Sequence, residues 1–129
     1  MHKLMIVDDS NIIRKRIERS FNSAQFELVA LAEDGLDAVE KFKEHHPDVI
    51  TMDLTMPNMD GLECIKQIRA LDPSVSILVV SALSDKITGL RALQLGARGF
   101  ISKPFTDEEL LQALNQLVTA RVKHKKKSG

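Results

Sequence analysis

At 129 residues, 43% hydrophobic and 28% charged, the chain is sized for one domain that buries its own core. Its single cysteine excludes an internal disulfide framework, and no apolar run approaches the ~20 residues that cross a bilayer. Formal net charge is zero, yet Arg121, Lys123, Lys125, Lys126 and Lys127 gather in an acid-free end, so residues 1–120 carry a net negative charge.

The first apolar run, Leu4-Met5-Ile6-Val7, is short and β-branched and stops at Asp8-Asp9, which rules it out as a signal peptide. Ser10 is placed to cap a helix in which Ile13, Ile17 and Phe21 recur at helical spacing, with Arg14, Lys15, Arg16, Glu18 and Arg19 as its wet face. A second strand is expected from Leu28 to Leu31. The turn signal Asp34-Gly35 then opens a helix with Leu36, Val39 and Phe42 on one face, ending before Pro47. His45-His46 at that end lacks the i, i+4 spacing of a helical metal pair and suits a helix C-terminus.

Val49-Ile50-Thr51-Met52 reads as a third strand and ends at Asp53. A loop with Pro57 leads to Asp60-Gly61-Leu62-Glu63, which resembles a capping box; its helix stops at Asp72-Pro73 and places Cys64 among Leu62, Ile65 and Ile68 as a small core residue. Strand four, Ile77-Leu78-Val79-Val80, ends at Ser81 and passes through Ser84 into a helix whose apolar positions are Ile87, Leu90 and Leu93, with Gly96 as C-terminal cap. Strand five is Gly99 to Ser102, followed by Lys103. Thr106-Asp107-Glu108-Glu109 is a capping box for a last helix striped with Leu110, Leu111, Leu114, Leu117 and Val118. The domain is expected to end at residue 120, with 121–129 a basic, disordered tail.

Near-continuous apolar strands alternating with helices predict an α/β fold, a parallel sheet with helices on both faces. In such a sheet the ligand crevice lies beyond the carboxyl ends of the strands, where Asp8, Asp9, Asp53, Ser81 and Lys103 all fall. Three ionised carboxylates there would repel by roughly 3 kcal/mol per pair at ~5 Å and an effective dielectric of ~20. Lys103 supplies one compensating charge and a divalent ion the next. Mg²⁺, which takes few carboxylates plus waters and phosphate oxygens, suits Asp8, Asp9 and Asp53 with a loop carbonyl better than Ca²⁺ does. A carboxylate beside Mg²⁺ and a lysine can attack a phosphoryl group, and the Ser81 hydroxyl can donate to one of its oxygens. Taken singly, the acid pair reads as a solvated turn, Asp53 as a strand-end acid, Ser81 as a loop start and Lys103 as a surface charge; it is their combination that points to one site.

Ile6-Val7-Asp8-Asp9-Ser10, Met52-Asp53-Leu54-Thr55-Met56-Pro57 with Met59-Asp60-Gly61, Ser81-Ala82, Gly96-Ala97 and Lys103-Pro104-Phe105 stand in the order and spacing of the receiver domain of two-component response regulators. The chain resembles that family over residues 3–120, and most of all its single-domain, CheY-like chemotaxis members. The resemblance implies a flavodoxin-like, doubly wound five-stranded sheet of order 2-1-3-4-5. It implies Asp53 as phosphoacceptor, Asp8, Asp9, Asp53 and the Thr55 backbone carbonyl around Mg²⁺, Ser81 and Lys103 on the phosphoryl group, and a cis Lys103-Pro104 bond. The implied function is a cytoplasmic signalling switch rather than a turnover enzyme, one that catalyses its own phosphorylation and dephosphorylation.

Its phosphodonor would be a histidine kinase and its output an unidentified protein, with the flagellar motor as one candidate; no nucleic acid or membrane is contacted directly, and the protein is a monomer or a phosphorylation-linked dimer. Departures from the usual pattern are Ser81 in place of Thr and Phe100 in place of Tyr. Ser81 and Phe100 are the implied switch pair, although an aromatic on a short strand is also ordinary core. Thr55 and Leu83 flank the expected path of a hydrolytic water. A receiver of a longer transcriptional regulator and a phosphorelay intermediate remain alternatives. A Mg²⁺ phosphatase with an Asp nucleophile is disfavoured, because the second acid it needs two residues on is Thr55 here.

Overall fold

Every apolar run of the sequence becomes a strand, and every strand is followed by a helix that packs on the sheet. The computed structural model describes residues 1–21, 24–82 and 86–128, without side chains at 86 and 120–128. The order is β1 (His2–Val7), α1 (Asn11–Ser20), β2 (Phe26–Ala32), α2 (Gly35–His45), β3 (Val49–Met52), α3 (Gly61–Leu71), β4 (Ser76–Ser81), α4 (Lys86–Gln94), β5 (Gly99–Ser102) and α5 (Asp107–Ser128). The five strands form one parallel sheet in the order β2-β1-β3-β4-β5. Among the described residues no helix is long and apolar enough to cross a membrane.

Alternation along the central strands divides the interior in two. Met5, Val7, Ile50, Met52, Ile77 and Val79 face one cluster, closed by Ala38, Val39 and Phe42 of α2, Cys64, Ile65 and Ile68 of α3, and Ala92 of α4. Leu4, Ile6, Val49, Leu78 and Val80 face the other, closed by Ile17 of α1 and Leu110, Leu114, Leu117 and Val118 of α5. Both faces are covered, so the strands carry no polar alternation. Cys64 is fully buried, and burial pushes its thiol up to about 12, which makes it inert packing.

The helix starts follow the capping residues. The Ser10 hydroxyl accepts from the Ile13 N–H at 3.3 Å, Asp34 from Asp37 at 2.8 Å and Asp60 from Glu63 at 3.0 Å. Thr106 and Glu109 form the full reciprocal box, with both hydrogen bonds at 3.1 Å. Gly96 adopts φ 115° beyond α4, the left-handed conformation that a C-terminal cap requires.

Three expectations are corrected. β2 is longer than Leu28–Leu31: it pairs with β1 from Phe26 to Ala32, with a register shift between Leu4 and Met5 that passes over Val29. In α2 the buried face is Gly35, Ala38, Val39 and Phe42, and Leu36 is 52% exposed. In α4 the expected core residues Ile87, Leu90 and Leu93 all face outward, 75%, 57% and 45% exposed, while Ala92 is buried. On its sheet side α4 packs through small residues: a Cβ on Gly89 would stand 3.5 Å from the Phe100 ring, in ordinary van der Waals contact. Beyond its apolar stripe, the backbone of α5 stays helical to Ser128. Ser84 and Leu83 lie outside the described residues.

Candidate functional site

The strand register puts the polar residues side by side. Val7 pairs with Met52, so the next residues, Asp8 and Asp53, leave adjacent strands at the same level. Ser81 pairs with Ser102, so Lys103 follows one residue beyond Ser81. The ladder extends one step past the strands: the Asp53 N–H donates to the Val7 carbonyl at 3.0 Å, Asp8 to Ala32 at 3.0 Å and Lys103 to Ser81 at 2.9 Å. Asp8, Asp53 and Lys103 are therefore rooted on hydrogen-bonded backbone before their side chains begin.

Behind Asp53 the backbone is equally constrained. Gly61 opens α3 against the end of β3, and a Cβ there would fall 2.2 Å from the Asp53 carbonyl oxygen. Only glycine allows that approach.

One carboxylate oxygen from each of Asp8, Asp9 and Asp53 lies within 4.8 Å of the others. Asp8 and Asp53 are buried, at 1% and 4% exposed, whereas Asp9 is open to solvent. The Lys103 ammonium stands 2.7 Å from Asp8 Oδ2 and 3.7 Å from Asp53 Oδ1. The other Asp8 oxygen accepts from the Ser10 N–H at 2.8 Å, and Asp53 Oδ1 accepts from the Thr55 N–H at 3.4 Å. Burial pushes the Asp53 carboxyl up to about 6, with repulsion from Asp8 adding to it and Lys103 and the Thr55 N–H opposing it. One ammonium cannot neutralise three carboxylates at this spacing. The set of hard oxygen donors, two of them buried, is one that could hold a metal ion, and a small divalent cation fits its charge and chemistry.

Asp8, Asp9, Asp53 and Lys103 are thus brought together. Ser81, 1% exposed, ends β4 next to the strand end that carries Lys103. Thr55 follows Asp53 in the loop with its side chain exposed and its N–H on the Asp53 carboxylate. Phe100 is half-buried on β5 opposite Val79, packed against the first core cluster. Lys103-Pro104 is cis.

Two supports escaped the sequence reading. Arg14, read as wet face, turns back so that Nη1 donates to the Asp8 carbonyl at 2.5 Å. Asn58, at φ 68°, donates to Asp34 Oδ2 at 2.7 Å and ties the loop beyond Asp53 to the cap of α2. A positively charged helix turn looks the same in sequence whether its arginine meets water or a backbone carbonyl. For Asn58 the signal was available, since Asn is favoured where φ is positive.

Residues 4–115 match the response regulator receiver domain. Among curated proteins the chain is similar to the chemotaxis protein CheY of Bacillus subtilis, 44% identical over 115 residues and covering 89% of this chain and 96% of that one. It is also similar to CheY of Listeria monocytogenes, 45% identical over 116 residues, covering 90% and 98%. Among solved structures, a chain of the CheX–CheY complex with BeF3 and Mg²⁺ from Borrelia burgdorferi superposes with a TM-score of 0.87 at 34% identity, covering 91% of this chain and 89% of that one.

Proposed function

The chain belongs to the response regulator receiver family, a phosphorylation-activated switch of two-component signalling and not a classical enzyme, and from that premise we propose how its residues carry the signal. Asp53 is the phosphoacceptor. An Asp53 carboxylate oxygen attacks the phosphorus of a phosphohistidine on a histidine kinase, the new O–P bond forms as the P–N bond breaks, and the histidine nitrogen leaves with the electron pair and takes up a proton. Asp8, Asp9, Asp53 and the Thr55 carbonyl would hold Mg²⁺, which supplies charge neutralisation to the phosphoryl oxygens when bound. The observation that carries this reading is the gathering of three carboxylate oxygens within 4.8 Å beside the Lys103 ammonium.

In the same reading Lys103 and Ser81 grip the transferred group. The ammonium rests on Asp8 and exchanges part of that contact for a phosphoryl oxygen, and the Ser81 hydroxyl donates to another. Drawing Ser81 inward frees space toward Phe100, whose ring then packs differently and alters the surface read by an output partner. The protein also phosphorylates itself from small-molecule phosphodonors and later hydrolyses its acyl phosphate. A role in chemotaxis is supported by the relatives named above, whose length the chain spans almost entirely.

Incubation with acetyl phosphate and Mg²⁺, read by intact mass, tests the proposal. The expected result is one added phosphoryl group, lost on chelation of Mg²⁺ during the reaction and absent from Asp53→Asn. Undiminished labelling of that variant would place the acceptor elsewhere.

A further inference from the structure

Arg16 joins two parts of the molecule that the sheet does not connect. It lies on α1, yet its guanidinium carbon stands 4.8 Å from the centroid of the Phe105 ring, and a terminal nitrogen donates to the Phe105 carbonyl oxygen. Phe105 is 2% exposed and belongs to the same core cluster as Ile17, Leu110 and Leu114. One helical turn along, the Ser20 hydroxyl lies 2.8 Å from an Asp107 carboxylate oxygen and 2.7 Å from the Arg16 carbonyl; it donates to one of them at a time. α1 therefore holds the connection between β5 and α5 at residues 105 and 107.

That connection begins with Lys103. The ammonium sits on a four-carbon stem, and where it rests depends on the acids that attract it and on the backbone that roots it. The root is fixed upstream by the Lys103 N–H on the Ser81 carbonyl at 2.9 Å, where the β4–β5 ladder ends. Downstream, α5 begins only at Asp107, and the Arg16 contact to Phe105 falls in the gap. A planar guanidinium can cover the ring and donate to the carbonyl together, which a lysine at this position could not do.

We infer that Arg16 is a positioning residue for Lys103, and that α1, through Arg16 on Phe105 and Ser20 on Asp107, sets where the ammonium stands when a phosphoryl group arrives. The inference rests on the reading of Asp53 as acceptor. Phosphoryl transfer relies on positioning and electrostatics, so a small displacement of the Lys103 ammonium lowers the rate without removing any reacting group.

The test uses the full chain, acetyl phosphate and saturating Mg²⁺, with labelling followed by intact mass. Arg16→Met keeps an apolar stem on Phe105 and is expected to label about tenfold more slowly, with Mg²⁺ affinity changed by less than about twofold and Arg16→Lys falling between. In a Lys103→Met background, followed over hours, Arg16→Met is expected to add no further slowing, because the group it positions is gone. Ser20→Ala should slow labelling by about twofold to threefold with the same dependence on Lys103, and it carries the test if Arg16→Met does not fold. An unchanged rate, a slowing that persists at full size without Lys103, or a parallel loss of Mg²⁺ affinity would overturn the inference and show a merely structural contact. A wild-type chain that takes no label would instead sink the acceptor reading, and the positioning role with it.

Discussion

Lys103 stands a full ångström closer to Asp8 than to Asp53, 2.7 Å against 3.7 Å. The cation thus rests on the acid that is not proposed to react, leaving the Asp53 carboxylate under-compensated in its buried position. A group held in that condition is a better nucleophile than one locked in a tight ion pair, and it is a less stable part of the fold.

The second consequence can be measured. The Asp53 carboxyl is raised from 3.8 to about 6, so folding favours its protonated form. Its contribution to stability is full below pH ~4 and is lost as pH rises through about 6. Asp53→Asn should therefore raise the Tm of the metal-free protein at pH 8 by roughly 3–6 °C relative to its effect at pH 4.5, and saturating Mg²⁺ should shrink that advantage. Calorimetry showing the same Tm difference at both pH values would contradict the raised carboxyl.

Asp9 is the exposed member of the acid set and costs little to remove structurally. Asp9→Ala should weaken Mg²⁺ binding by about tenfold or more, while Glu33→Ala should leave it nearly unchanged. Equal calorimetric titrations of the two variants would exclude Asp9 as a ligand.

Most of the fold was legible in the sequence because local signals agree: Ser10, Asp60 and Thr106 each cap the helix they were read to cap, and Asp34, read as a turn signal, caps α2. The acids and Lys103 were legible as strand-end residues, since a parallel sheet gathers such ends. The outward face of α4 was not. Periodicity reports that Ile87, Leu90 and Leu93 share one side of a helix, but which side meets the sheet depends on how near the backbones come, and that is set by Gly89 and Ala92. Arg14 and Arg16 were misread for a related reason: a long cationic side chain on a half-buried turn can reach back to a carbonyl, and no spacing distinguishes this from solvation.

Gly61→Ala should be destabilising by about 1–3 kcal/mol, because the obstacle to its Cβ is the Asp53 backbone and not a side chain that can turn away. The same change should slow labelling, since relief of the clash displaces Asp53, the proposed acceptor. A variant of unchanged stability to urea and unchanged labelling rate would show that α3 can shift as a body.

Ser81→Ala should uncouple phosphorylation from output more than it blocks phosphorylation, and Phe100→Ala should leave Asp53 reactive while blunting the partner response. Output-partner affinity with and without phosphate, together with a fluorine label at Phe100, checks this. Retention of the full affinity change by both variants and a single environment for the label would show that the signal leaves by another route.

Among the described residues of α4, Ala92 alone is buried. A methyl side chain contributes on the order of 1 kcal/mol of apolar burial at most, so this helix is moored lightly, in contrast to α3 with Cys64, Ile65 and Ile68 beneath it. A helix so moored can tilt or slide for little free energy while the sheet and its other coverings stay as they are. Whatever acts on it needs only a small differential affinity to set its position, and α4 can serve as the compliant part of an otherwise stiff body.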